Sequence, residues 1–161
     1  MSSREAIVAI PPEAGAVRRP EGVSVVIPAY NYAHFISRAI ESALSQDYPL
    51  KEVIVVDDGS TDNTREVVGR FGERVRYVYQ QNSGLPAARN TGIREARYAF
   101  VGLLDADDVW LPGMLSRAMA AFERLPPDFA VVACQAVLVD PAGNPIEARQ
   151  TRPDIAGEIT V

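Results

Sequence analysis

This chain of 161 residues is short of the groups that many enzyme classes depend on. It has one cysteine, Cys134, and one histidine, His34. An internal disulfide is therefore excluded, and there is no Cys/His set to bind zinc tetrahedrally. No run approaches the ~18 apolar residues needed to span a bilayer, and residues 1–10 lack a signal-peptide layout. Cations are in the minority: 16 Lys and Arg face 21 Asp and Glu, for a net charge of −5. That balance argues against a general nucleic-acid surface, which uses clustered cations to displace counterions. No G-x-G-x-x-G follows the first β-branched run, and no G-x-x-x-x-G-K-S/T occurs anywhere. A dinucleotide redox cofactor and a P-loop are thereby disfavoured, since no glycine-rich turn lets backbone amides close on a pyrophosphate. What remains is a soluble α/β domain of a reducing compartment. At this length it can bury roughly 68–70% of the surface exposed by its unfolded form.

The pattern along the chain supplies the architecture. Residues 1–22 hold Pro11, Pro12 and Pro20 and read as a mostly irregular lead-in with room for one short added strand. From Val23 onward, residues 23–161, apolar runs alternate with helix-period segments. Residues 23–27 suit a strand covered on both faces, ended by Pro28. Phe35, Ile36, Ala39, Ile40, Ala43 and Leu44 paint one helical stripe. A second buried strand, 53–56, leads into Asp57-Asp58-Gly59-Ser60-Thr61-Asp62, where Thr61 or Asp62 can cap a helix through Val67 and Val68. Residues 75–79 read as a third strand nearer an edge. Pro86 then opens a helix to about residue 97. Residues 98–104 form the fourth strand. A helix after Pro112 places Leu111, Leu115, Ala118, Met119 and Phe122 on one side, with Pro126-Pro127 as terminator. A long apolar strand, 129–139, buries Cys134, and 141–145 is turn chemistry. Strand and helix in alternation predict a mostly parallel sheet flanked by helices.

Ligands of such sheets bind beyond the carboxyl ends of the strands. Those ends carry Pro28-Ala29-Tyr30-Asn31, Asp57-Asp58, Asn82-Ser83-Gly84 leading to Arg89, and Asp105-Ala106-Asp107-Asp108. One aspartate at a strand end is ordinary turn chemistry. Five on one rim repel each other, and a bound cation is one compensation. Carboxylate oxygens suit magnesium or manganese, which keep positions open for a diphosphate. Trp110 reads as core packing beneath the site, Tyr30 and Tyr32 as wall tyrosines able to stack on a base, and His34 as a surface residue. Arg74, Arg76, Arg94 and Arg97 read as solvated.

The four blocks, in this order and spacing and followed by Trp110-Leu111-Pro112, resemble a family 2 glycosyltransferase of GT-A (Rossmann-like) fold over residues 23–139. The resemblance implies an inverting transferase moving a sugar from a nucleoside diphosphate sugar, a UDP-sugar favoured, to an acceptor hydroxyl on a polysaccharide, lipid or protein glycan. Pro28, Ala29 and Tyr30 would floor the nucleotide pocket, Asp57 would accept a hydrogen bond from the base, and Asp58 would line the same pocket. Arg89 would face the nucleotide or its phosphates. Asp105-Ala106-Asp107 is the D-x-D block, with Asp107 the principal Mn2+ or Mg2+ ligand and Asp105 near ribose or metal. The base that deprotonates the acceptor lies well after this block in the family. Of the later carboxylates Glu123, Asp128, Asp140, Glu147, Asp154 and Glu158, none is placed for that task. The expectation is a donor-binding portion with its base beyond Val161. Two alternatives are a nucleotide-sugar-binding fragment without transfer and a metal-dependent nucleotidyl or phosphoryl transferase. Cytoplasmic location is expected, with attachment at the inner membrane face left open.

Overall fold

In the computed structural model the described residues are 6–9, 21–125, 131–134, 137, 139, 140 and 146. Strand β2 (Val23–Ala29) lies at the centre, and all seven of its residues are buried. A run with no solvated face has to be covered above and below, as in a parallel α/β sheet. Its parallel neighbours are β3 (Lys51–Asp57) and β5 (Phe100–Leu103). Strand β4 (Arg76–Tyr79) pairs parallel with β3 and is the edge strand expected. Beyond β5 come β1 (Ala6–Ala9) and β6 (Val131–Ala133), giving the order β4-β3-β2-β5-β1-β6. Only β1, antiparallel to both β5 and β6, runs against the rest of the described sheet. The lead-in thus contributes an interior strand, with Ile7 in the core. Four residues of Ala-Ile-Val-Ala carry no signal of where they will pair.

The period of two along the central strands sorts the helices into layers. Val23, Val25, Ile27, Val53 and Val55 face one side. There they meet Ile36, Ala39, Ile40 and Ala43 of α1 (Ile36–Leu44), Val67 and Val68 of α2 (Thr64–Gly69), and Leu115, Ala118 and Met119 of α4 (Met114–Arg124). Val26, Ile54, Val56 and Val101 face the other side with Ala88 of α3 (Leu85–Glu95). Helix α3 approaches β2 closely because Gly92 lies against Val26, where a Cβ would overlap a Val26 methyl.

The structure also departs from the sequence expectations. Strand β2 continues through Pro28. The carbonyl of Val26 accepts from Leu104 N on the β5 side. Pro28, two residues on, has no amide to donate on that side, and the β2–β5 pairing ends at Val26–Leu103, while pairing with β3 runs on to Ala29. Helix α2 starts at Thr64 with Asn63, not Thr61 or Asp62, in the N-cap position; Asp62, one residue further upstream, accepts from Thr64 N at 3.0 Å. Leu111 is 68% exposed and precedes α4 rather than lying on its buried side. A glutamine decides that start. Buried Gln46 donates to Leu111 O at 3.0 Å and accepts from Leu115 N at 3.1 Å. Phe35 likewise precedes α1 and is 52% exposed. Within the expected strand 129–139, Val131–Ala133 form β6, and Cys134 just beyond it is half-buried. Arg76 is not simply solvated; it pairs with Glu95 at 2.6 Å. The Pro126-Pro127 terminator and the 141–145 turn lie outside the described residues. No helix among the described residues is long and apolar enough to cross a membrane.

Candidate active site

The ladder register brings the polar blocks to one edge. Ala29 pairs with Asp57, and Asp57 pairs with Tyr79. One residue further, Asp58 N donates to Ala29 O at 2.8 Å and Gln80 N to Asp57 O at 2.9 Å. Strand β5 ends beside Val26, so Asp105, Ala106 and Asp107 emerge next to Pro28-Ala29-Tyr30 at the end of β2. Between them lies a cavity of about 300 Å³ lined by Pro28, Ala29, Tyr30, Tyr32, Asp58, Leu85, Ala88, Asp105, Ala106 and Asp107. Seven of the sequence-selected residues meet there. Asp57 and Arg89 are not on its wall. Tyr30 and Tyr32 are both wall tyrosines, as the sequence allowed, while Leu85 and Ala88 were missed. The latter two have no chemical signature; they reach the wall because α3 starts at the turn held by Asp58.

The aspartates differ sharply in their surroundings. Asp57 is 1% exposed; its carboxylate accepts from Ser60 N at 2.8 Å and from the Tyr77 hydroxyl at 2.6 Å. Burial and the Asp57 carboxylate together hold the Tyr77 phenol well above its ordinary range. Asp58, 3% exposed, accepts from Gln80 Nε2 (2.7 Å), Ser83 N (2.9 Å) and Gly84 N (2.8 Å). Those bonds hang the Asn82-Ser83-Gly84 turn on β3 and fix where α3 begins. Asp105 receives Arg89 Nη2 at 2.7 Å from α3. Asp107 is exposed, with the Tyr32 hydroxyl 3.4 Å from its Oδ2. The Asp107 charge, aided by burial, raises the Tyr32 phenol. Burial, then Asp107 and Asp105, raises the Asp108 carboxyl.

Repulsion across the acidic rim is thus largely relieved from within: amides and hydroxyls serve Asp57 and Asp58, and a guanidinium serves Asp105. The demand for a cation contracts to the β5 loop. Among the described residues no group of three or more His, Cys, Asp or Glu is gathered to hold a metal ion. A closed protein cage is therefore absent from them. The donor set does fit a hard cation taken by one or two carboxylates and completed by water and phosphate oxygens. Trp110 plays the packing role expected of it. It is buried, and a Cβ at Gly102 would come within 2.6 Å of its ring.

A three-layer α/β domain with a cavity over the carboxyl ends of its central strands belongs to the broad class whose ligands bind at such edges. The profile of the family described as Glycosyl transferase family 2 matches residues 24–155, and the chain belongs to that family. An uncharacterized glycosyltransferase of Nostoc sp. is 43% identical over 105 residues, covering 63% of this chain and 33% of the relative. The structure of S. aureus TarS 1–349 in complex with UDP-GlcNAc is similar at 34% identity and a TM-score of 0.58, covering 64% of this chain and 31% of that one. The mannosyltransferase PcManGT from Pyrobaculum calidifontis, in complex with GDP-Man and Mn2+, is similar at 30% identity and a TM-score of 0.56, covering 71% and 35%. The six-stranded mixed sheet flanked by helices is the GT-A fold of these neighbours. The chain spans about a third of the length of these relatives.

Proposed function

We propose that this chain forms the donor-binding part of a metal-dependent, inverting glycosyltransferase that uses a nucleoside diphosphate sugar. The observation that carries this reading is the one cavity shared by Pro28-Ala29-Tyr30 at the end of β2, Asp58 and the Asp105-Ala106-Asp107 block. Its size is at the lower end of the range for small-molecule sites, about 300–1,000 Å³. The bound complexes of TarS with UDP-GlcNAc and of PcManGT with GDP-Man and Mn2+ support a nucleotide-sugar donor and a divalent cation.

In this reading Pro28, Ala29 and Tyr30 floor the nucleotide pocket, with Tyr30 half open to stack on the base. Asp58 holds the wall turn in place. Asp57 remains the proposed acceptor for the base, although the structure buries it (1% exposed), engages both of its oxygens with Ser60 N and the Tyr77 hydroxyl, and leaves it off the cavity wall. Asp105 and Ala106 lie along the ribose side. Arg89, already anchored on Asp105, offers its remaining donors to the phosphates. Asp107, with Asp105, would hold Mn2+ or Mg2+. Such an ion, when bound, supplies Lewis-acid stabilisation of the leaving diphosphate. The acceptor-activating base is assigned to none of the cavity carboxylates, because each is engaged in holding the donor side.

Titration of the chain with UDP in the presence and absence of Mn2+ tests the proposal. Binding that strengthens with Mn2+, and an Asp107→Ala variant that loses the Mn2+ dependence, is the expected result. Identical UDP binding with and without the ion, in both proteins, would overturn it.

A further inference from the structure

The loop after β2 is tied down by hydrogen bonds on both sides of Tyr32. Upstream of it, Asn31 adopts a left-handed conformation (φ 59°), uncommon for a residue with a side chain. Its amide donates to Ser60 Oγ at 2.9 Å, and its Oδ1 accepts from Thr61 N at 2.8 Å and from Asp62 N at 3.3 Å. Downstream, Ala33 N donates to Asp62 Oδ2 at 3.1 Å. The Tyr32 carbonyl itself accepts from Phe35 N and Ile36 N, both at 3.0 Å, at the start of α1. The ring lies 6.3 Å from that of Phe35, tilted by 56°. Backbone on both sides and ring alike are thus pinned to the β3 loop and to α1. The hydroxyl at the end of this pinned ring faces Asp107, 75 residues away in sequence.

We infer that Tyr32 is a positioning residue for Asp107: its hydroxyl holds Oδ2 so that the carboxylate keeps one orientation in the cavity, with Oδ1 left for a ligand. A side chain on an exposed loop otherwise samples several rotamers, and each lost rotamer weakens any site that needs one of them. Outer-shell partners of a metal-ligating carboxylate act in this way. The inference rests on the reading of Asp107 as the cation ligand, and the test separates the two.

The test uses the full chain and three proteins: wild type, Tyr32→Phe and Asp107→Ala. Phe keeps the ring against Phe35 and removes only the hydroxyl. Mn2+ is titrated at fixed UDP by calorimetry, and UDP affinity and thermal midpoint are measured separately in EDTA. Losing an outer-shell partner typically costs about 10–100-fold in metal affinity, and a 3.4 Å contact belongs at the weaker end, about 10-fold. The expected result is that loss in Tyr32→Phe, over and above any change this wall residue makes to UDP affinity in EDTA, with the EDTA midpoint unchanged. A purely structural role would lower the midpoint in EDTA instead. If Asp107→Ala loses the Mn2+ response and Tyr32→Phe matches wild type, the role of Tyr32 is refuted while Asp107 stands. If wild type and Asp107→Ala respond alike to Mn2+, the cation reading fails, and the role of Tyr32 fails with it.

Discussion

Replacing Tyr77 by Phe removes one oxygen and leaves the ring, so it isolates the bond that this hydroxyl makes to Asp57. That bond is 2.6 Å long, and its acceptor is a carboxylate only 1% exposed. Hydrogen bonds to charged groups contribute about 1.5–3 kcal/mol. Tyr77 is only half-buried, which places the expected loss at about 1.5–2 kcal/mol. For a chain of this length about 2–4 °C accompanies each kcal/mol, so the midpoint falls by about 3–8 °C. The pH dependence gives a second, independent handle. The phenol is held above its ordinary value in the folded protein by burial and by Asp57. Below the unfolded value, about 10, the hydroxyl is protonated in both states and its stabilisation is complete. As pH rises past that point the unfolded chain releases the proton first, and the stabilisation is progressively lost. The gap between wild type and Tyr77→Phe is therefore constant from pH 7 to about 9.5 and narrows above it. Urea unfolding followed by circular dichroism, repeated across that range, measures both. A gap below about 0.5 kcal/mol at pH 7, the scatter of ordinary surface changes, would refute the reasoning.

The other stability predictions follow from two more contacts. Gly92→Ala drives a methyl into Val26 and should cost about 1–3 kcal/mol in urea melts; Val26→Ala in the same chain should recover part of that loss, and strict additivity would refute the overlap. Burial pushes the Asp62 carboxyl up, but hydrogen bonds from Thr64 and Ala33 outweigh it and hold the group below its ordinary value. Its contribution is therefore present above about pH 4 and lost as pH falls through the lowered folded value. Asp62→Ala should cost about 1 kcal/mol at pH 7. The deficit should shrink in parallel melts near pH 3, and an unchanged deficit there would argue against the bonds.

Much of this protein is written locally. The short, β-branched apolar runs at Val25-Val26-Ile27 and Val53-Ile54-Val55-Val56 point to strands covered on both faces, where every one of those side chains is kept from water. The Ile36, Ala39, Ile40, Ala43 spacing dictates the helix that covers one of those faces. Polar blocks directly after the strands then come together at one edge of a parallel sheet. For that reason seven of the selected residues share a cavity.

Other features depend on partners far apart in the chain, and no local pattern encodes them. Periodicity could not place β1 between β5 and β6, since pairing of so short a strand is chosen by the vacant edge it meets. Gln46 sets the start of α4 from 65 or more residues away. The five aspartates look alike in sequence. Folding divides them into two that are satisfied by amides and hydroxyls, one neutralised by Arg89, one half-buried and one left open beside Tyr32. A carboxylate's role follows from the donors around it and its access to water, and both exist only once the loops have met.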